Sequence, residues 1–89
     1  MTSDSHLPPL DQTDLAIQLE VDATGLRCPL PLLKAKQALN SLKSGERVKV
    51  NATDAGSVRD FHAFADLSGH RILRFTESGG RYEYVLQKQ

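Results

Sequence analysis

The only cysteine of the 89-residue chain stands in the segment Gly25-Leu26-Arg27-Cys28-Pro29-Leu30-Pro31. A strand pattern precedes this segment and a helix pattern follows it, which places the thiol next to a helix N-terminus. The partial positive charge of a helix N-terminus favours the thiolate, which is the nucleophilic form of cysteine. One cysteine cannot form an internal disulfide. Cys28 can instead act as a nucleophile, carry a covalently bound group, or form a disulfide with another chain.

The neighbours of Cys28 modify this expectation. Arg27 adds a positive charge, whereas Pro29 and Pro31 fit the first helical turn but lack the N–H groups that would bind a thiolate. We therefore predict a moderately lowered pKa for the Cys28 thiol. We also predict that the thiol is exposed at the edge of a sheet, and the alternative is a buried cysteine that acts as a small apolar residue.

Other reactive arrangements find little support in the sequence. Position 31 is proline, so the chain has no Cys-x-x-Cys redox pair. His62 and His70 are the candidate bases for a Cys/His pair, but their positions favour structural roles. One cysteine and scattered histidines lack the ligand spacing of a zinc site, so we predict neither a metal nor a cofactor.

Three acids precede or lie within predicted elements, at Asp22, Asp54 and Asp60. We interpret them as a strand-end residue, a helix cap and a helix-surface residue, and not as a catalytic carboxylate pair. Ser57 is a second candidate for the cap of the same helix.

Apolar spacing predicts four strands and two helices. Alternation indicates strands near Leu15–Asp22, Arg47–Thr53, His70–Thr76 and around Tyr82–Leu86, with Leu73 and Phe75 on one face of the third. Helical spacing indicates a helix from about Leu32 to Lys43, stopped by Gly45, and a second helix from about Val58 to Leu67, stopped by Gly69. Ser78-Gly79-Gly80 indicates a hairpin turn before the last strand.

The predicted order is β-α-β-α-β-β, and each strand is mostly apolar on one face only. We therefore predict an α/β (α+β) fold, a two-layer sandwich with a four-stranded mixed sheet and both helices on one face. Residues 15–89 form the single predicted domain, and residues 1–14 a disordered acidic leader.

The net charge of zero is divided unevenly along the chain. Residues 1–22 hold five acids and no Lys or Arg, whereas residues 23–89 hold all 11 Lys and Arg with the other six acids. This pattern indicates either a solvated surface with an acidic tail or a basic face for acidic protein or RNA partners. Neither a secretory signal nor a membrane span is expected, and a lone cysteine fits the reducing cytoplasm.

The segment from Asp22 to Pro31 resembles the signature of the TusA/SirA-like small sulfur-carrier family, whose hallmark is Cys-Pro-x-Pro at the start of the first helix. A second stretch agrees at Asp54, at Arg59-Asp60-Phe61, at Phe64 and at Gly69-His70. The resemblance covers about residues 15–88 and implies the same β-α-β-α-β-β sandwich.

The resemblance also implies a function and its partners. Cys28 would accept sulfane sulfur from a cysteine desulfurase or a rhodanese-type donor, hold it as a persulfide and pass it to an acceptor protein. Arg27, Pro29 and Pro31 would shape and polarise the site. This role is that of a sulfurtransferase-type carrier and not of a stand-alone turnover enzyme.

The residue at position 30 does not identify the pathway that receives the sulfur. The tRNA 2-thiolation branch of the family carries an acidic residue there, whereas this chain has Leu30. Two further hypotheses are a non-catalytic regulatory or binding module, and RNA binding through the open sheet face. Direct binding of nucleic acid is not expected, because the aromatic residues of the sheet are predicted to face inward.

Overall fold

A computed structural model describes residues 16–89. The predicted leader, residues 1–14, and Leu15 lie outside the described residues. The elements are β1 (Leu19–Ala23), α1 (Leu30–Asn40), β2 (Arg47–Ala52), α2 (Gly56–Ser68), β3 (Arg71–Ser78) and β4 (Arg81–Gln87). This order confirms the predicted β-α-β-α-β-β arrangement.

The four strands form one mixed sheet in the order β1-β2-β4-β3. β1 pairs parallel to β2, and α1 provides the crossover that such a pair requires. β4 pairs antiparallel with both β2 and β3, so β4 is a central strand although it is last in the chain. Gly79 and Gly80 join β3 to β4 with φ values of +55° and +80°, as expected for a two-residue hairpin turn.

The core lies between the sheet and the two helices. Alternate residues of β2 and β4 face the helices: Val48, Val50, Ala52, Tyr82, Tyr84 and Leu86. Buried residues of α1 and α2 pack against them: Ala35, Ala38, Leu39 and Phe61. The burial of each large apolar side chain contributes roughly 1.5–3 kcal/mol relative to its exposure, which holds both helices on the same face. The predicted two-layer sandwich is therefore confirmed.

The outer sheet face carries a small covered patch. Val85 is fully buried there, and in the sheet register it stands between Lys49 and Arg74. The aliphatic parts of such long side chains cover apolar surface while their charged ends reach Glu83, at 3.1 Å from Lys49 and 3.0 Å from Arg74. Burial raises the pKa of Glu83, but the two cations outweigh burial and hold this pKa below its usual value.

A β-bulge changes the predicted facing of β3. Ile72 pairs with Leu86 and Arg74 pairs with Val85, so the register skips Leu73. Ile72 and Phe75, and not Leu73 and Phe75, pack against the core. The predicted facing was wrong because the extra residue of a bulge breaks the two-residue alternation.

Of the two predicted helix C-termini, that of α2 was correct and that of α1 was not. α2 ends at Gly69, which has a φ of +83° in the left-handed region. α1 ends at Asn40 and has no basic residue in its last turn, whereas Lys43 and Gly45 lie in the following turn. No helix in residues 16–89 is long and apolar enough to cross a membrane.

Candidate functional site

Cys28 lies in the connection from β1 to α1, at the sheet edge where the parallel strands β1 and β2 both end. Asp22 orders the start of this connection by accepting hydrogen bonds from the N–H and the hydroxyl of Thr24, at 3.0 and 2.6 Å. These bonds hold the pKa of Asp22 below its usual value. The N–H of Gly25 donates to Thr53 Oγ1 at 2.8 Å, which ties the connection after β1 to the one after β2.

Backbone N–H groups at the start of α1 are hydrogen-bonded to nearby carbonyl groups of the same chain. Leu30 N–H donates to the Arg27 carbonyl at 2.7 Å, and Leu33 N–H donates to the Pro29 carbonyl at 3.0 Å. Pro29 occupies the cap position without a side-chain hydrogen bond, and Pro31 is buried in the first turn. The helix N-terminus therefore offers the Cys28 sulfur few free N–H groups.

The four residues predicted for the site lie together in sequence but in different environments. Cys28 is a free, exposed cysteine, as predicted. Arg27 and Pro29 are exposed beside it. Pro31 is fully buried, so it anchors the helix start instead of contributing to the surface.

Two carboxylates from the β2–α2 region converge on Cys28. Asp54 Oδ2 accepts a hydrogen bond from the Cys28 backbone N–H at 3.1 Å. Asp60 Oδ2 accepts a hydrogen bond from the Cys28 thiol. Our interpretation of Asp54 as a helix cap was wrong, since α2 has no side-chain cap. Asp60 does lie on the surface of α2, as predicted, but its contact with the cysteine was not predicted.

Gly56 permits the close approach of α2 to Cys28. A Cβ atom at position 56 would stand 2.9 Å from Asp54 Oδ2, 3.3 Å from Cys28 Cβ and 3.7 Å from Cys28 Sγ. The first of these distances is shorter than van der Waals contact allows, so any larger residue would displace the Asp54 carboxylate. Gly56 thus belongs to the site although it carries no reactive group.

The predicted lowering of the thiol pKa was wrong in sign. The hydrogen bond to Asp60 raises the pKa of Cys28, partial desolvation and the charges of Asp60 and Asp54 act in the same direction, and only Arg59 opposes them. A carboxylate accepts a hydrogen bond from the thiol but repels the thiolate. The helix N-terminus contributes less than predicted, because Pro29 and Pro31 have no N–H and the N–H groups of Leu30 and Leu33 are already bonded.

A buried polar pair supports the helix that carries Asp60. Ser57 Oγ and Tyr84 Oη are 2.8 Å apart and hydrogen-bonded, and both residues are buried. One turn further along α2, Phe61 stacks on Tyr84 with ring centroids 4.0 Å apart. These contacts fix the first two turns of α2 against β4 and therefore fix Asp60 relative to the sheet.

Apolar surface adjoins the cysteine. Leu30 and Leu33 of α1 remain 47% and 44% exposed. A groove of about 450 Å³ between α1 and α2 begins at Asp60 and is lined mainly by Leu32, Phe64 and Leu67. Asp60 thus both contacts the thiol and lies at one end of the apolar groove.

His62 and His70 both form hydrogen bonds with main-chain groups. His62 Nδ1 lies 2.8 Å from the Val58 carbonyl, one helical turn away. His70 Nδ1 accepts a hydrogen bond from the Gln89 N–H at 2.9 Å. Within residues 16–89, no group of three potential ligands could hold a metal ion.

The sequence did contain a signal for the two missed acids. Asp54 follows β2 as Cys28 follows β1, and the carboxyl ends of parallel strands meet at the same sheet edge. Asp60 then lies six residues after Asp54, in the first two turns of α2. The order β-α-β was therefore sufficient to place the acids near the thiol.

Comparison with known proteins gives one family. The family described as "Sulfurtransferase TusA" matches residues 19–88 of this chain. A sulfur carrier protein TusA from Allochromatium vinosum is 48% identical over 69 residues, which cover 78% of this chain and 91% of that protein. A sulfur carrier protein TusA from Pseudomonas putida is 36% identical over 77 residues, covering 86% and 96% of the two chains.

A solved structure shows the same fold. The crystal structure of a SirA-like protein from Desulfitobacterium hafniense superimposes with a TM-score of 0.68 at 27% identity. The match covers 78% of this chain and 95% of that chain. The sandwich described above is therefore shared with that protein along nearly its whole length.

Proposed function

Because the chain belongs to the TusA family of sulfur carriers, we propose that Cys28 is the residue that carries the sulfur, as a persulfide. The observation that carries this assignment is the free, exposed Cys28 thiol, which lies at the sheet edge in the matched part of the chain. It is the only cysteine of the sequence, so no internal thiol competes for the transferred sulfur.

The transfer requires only one thiol on the carrier. The Cys28 thiolate attacks the terminal sulfur of a persulfide on the donor, the donor S–S bond breaks, and a new S–S bond joins that sulfur to Cys28 Sγ. The donor leaves as a thiolate and takes up the proton that the Cys28 thiol has lost to solvent. One S–S bond forms and one breaks, so the step needs no added oxidant or reductant. The acceptor protein repeats the same exchange.

The surroundings of Cys28 support exchange between docked proteins. Arg27 and Pro29 are exposed beside the thiol, and Leu30 and Leu33 present apolar surface next to it. A partner that contacts this surface can bring its own cysteine to Cys28 and exclude water from the exchange. We expect a cysteine desulfurase or a rhodanese-type protein as the donor, in the cytoplasm of a bacterium.

Loading with each donor class tests this proposal. The protein is incubated with a cysteine desulfurase and cysteine, or with a rhodanese and thiosulfate, and the intact mass is measured. We expect one added sulfur, removable by a reductant, with at least one donor. The absence of this adduct with both donors would contradict the proposal.

We propose that the sulfur enters either tRNA 2-thiolation or another sulfur-trafficking route. Leu30, in place of an acidic residue, favours a route other than the tRNA branch. The content of 2-thiouridine in tRNA, measured in cells that lack this protein, separates the two. Normal 2-thiouridine would assign the carrier to another route, and loss that wild type but not Cys28→Ser restores would assign it to the tRNA branch.

The open sheet face gives little support for direct binding of RNA. Lys49 and Arg74 share the single carboxylate of Glu83, which neutralises about half of their combined charge. Tyr82 and Tyr84 are buried on the opposite face and cannot stack with bases. We therefore expect the carrier to exchange sulfur with proteins.

A further inference from the structure

Asp60 contacts the reacting atom of Cys28 directly. Its Oδ2 accepts the hydrogen bond of the thiol, while Asp54 holds the backbone N–H of the same residue at 3.1 Å. The Asp54 bond fixes the main chain of Cys28, and Gly56 keeps α2 close to its sulfur. The Asp60 carboxylate therefore faces the position at which the sulfur would be carried.

This hydrogen bond depends on the proton of the thiol. An ionised carboxylate is an acceptor only, so the bond exists only while Cys28 is protonated. Deprotonation would leave two negative charges in contact, with Asp54 as a third nearby and Arg59 as the opposing cation. The raised pKa of the Cys28 thiol agrees with this geometry.

We propose that Asp60 distinguishes the empty carrier from the loaded one, by holding the Cys28 thiol and repelling the persulfide anion. This inference rests on the proposed function. In the empty carrier, the hydrogen bond keeps the sulfur protonated and turned toward α2. In the loaded carrier, the terminal sulfur is a stronger acid than the thiol and is ionised at neutral pH, so it has no proton to donate to Asp60.

The consequence is a directional effect on the carried sulfur. Repulsion by Asp60 turns the terminal sulfur away from α2 and toward solvent, where an acceptor thiolate can reach it. The same repulsion disfavours the loaded state, which assists onward transfer. Asp60 thus limits side reactions of the empty thiol and promotes release from the loaded carrier.

The first test uses the empty carrier and needs no sulfur donor. The rate of Cys28 alkylation by iodoacetamide is measured against pH for wild type, for Asp60→Asn, and for the control Asp66→Asn, which changes an exposed acid on the same helix. We expect Asp60→Asn to react roughly two- to fivefold faster at neutral pH, the range that an exposed charge interaction gives, with its profile moved to lower pH. Asp66→Asn should follow wild type.

An alkylation profile of Asp60→Asn that coincides with those of wild type and Asp66→Asn would overturn the inference. Circular dichroism checks the fold of each variant. Asp60→Ser, which also removes the carboxylate, serves as the second variant if Asp60→Asn is unfolded.

The second test uses the loaded carrier. Each variant is equilibrated with the same persulfide donor, and the loaded fraction is read from the intact mass. We expect a loaded fraction larger for Asp60→Asn than for wild type and Asp66→Asn, and equal fractions would overturn the inference. If no variant loads, the proposed function fails, whereas a displaced alkylation profile would still establish the contact between Asp60 and the thiol.

Discussion

The hydrogen bond between Ser57 and Tyr84 is the most informative contact for stability, because it joins the helix that carries Asp60 to the central strand β4. The two hydroxyl oxygens are 2.8 Å apart, and the residues are 1% and 0% exposed. Neither hydroxyl can turn to water after its partner is lost. Ser57→Ala and Tyr84→Phe should therefore each destabilise the fold by about 1–3 kcal/mol, the cost of an unsatisfied buried polar group.

The double variant gives the decisive comparison. It leaves no buried hydroxyl without a partner, so its loss of stability should be smaller than the sum of the two single losses by about 1 kcal/mol or more. In a domain of this size, 1 kcal/mol corresponds to a change of roughly 4–8 °C in the unfolding midpoint. Urea denaturation followed by circular dichroism measures the free energies of unfolding of all four proteins.

Tyr82→Phe is the matched control, because Tyr82 is a neighbouring tyrosine on β4 that retains 8% exposure. Its loss should stay within about 0.5 kcal/mol, as is usual for changes outside buried networks. Additive losses in the Ser57→Ala/Tyr84→Phe double variant, or two neutral single variants, would refute the reasoning that this pair is desolvated and coupled.

Three further changes test other parts of the structure. Gly56→Ala should slow the loading of Cys28, because the new methyl group would stand against the cysteine side chain and, by displacing the Asp54 carboxylate, release the main chain of Cys28. Urea denaturation should show a stability within about 1 kcal/mol of wild type, since better helix propensity offsets the lost hydrogen bond; unchanged loading would contradict this. Ionised Glu83 stabilises the fold above about pH 4.5, and this contribution is lost as pH falls through the lowered pKa of Glu83 in the folded state. In Glu83→Gln, the temperature of the unfolding midpoint should therefore fall less steeply with decreasing pH than in wild type. An equal slope for the two proteins would argue against this. Leu39→Ala, at a position 1% exposed, should lower the free energy of unfolding by about 2–5 kcal/mol in the same denaturation assay, and a loss below 1 kcal/mol would exclude a packed core there.

The apolar patterns were sufficient to predict the order of the elements and the two layers. Val48, Val50, Tyr82 and Tyr84 alternate with polar residues, and that alternation selects the face of the sheet that the helices cover. Val85 interrupts the alternation before Leu86 and is buried on the outer face. The turn at Gly79-Gly80 and the end of α2 at Gly69 were also predictable, because both require backbone angles that glycine adopts easily.

The local errors arose where tertiary contacts override a regular period. The bulge at Leu73 exchanges the facing of β3, and no single-strand pattern records where a partner strand skips a residue. α1 ends at Asn40 although Leu42 continues the apolar spacing, since Leu42 packs against the core from the following turn.

The exposure of Cys28 was predicted correctly, but the electrostatics around its thiol were not. Exposure of Cys28 followed from the proline-containing start of α1. The sign of its pKa shift did not, because Asp60 is 32 residues away in sequence and meets the thiol only after β1 and β2 pair. Reasoning from the neighbours in sequence counted the charge of Arg27 and overlooked the two acids that the fold brings to the sulfur.

The most direct test of the account is the location of the transferred sulfur. Wild type and Cys28→Ser are each incubated with a cysteine desulfurase and cysteine, digested without reductant, and analysed by mass spectrometry of the peptides. We predict one added sulfur on the peptide that contains Cys28 in wild type, and no added sulfur on any peptide of Cys28→Ser. An equal adduct in Cys28→Ser, or unmodified Cys28 in wild type under conditions where the desulfurase is active, would contradict the claim that Cys28 carries the sulfur.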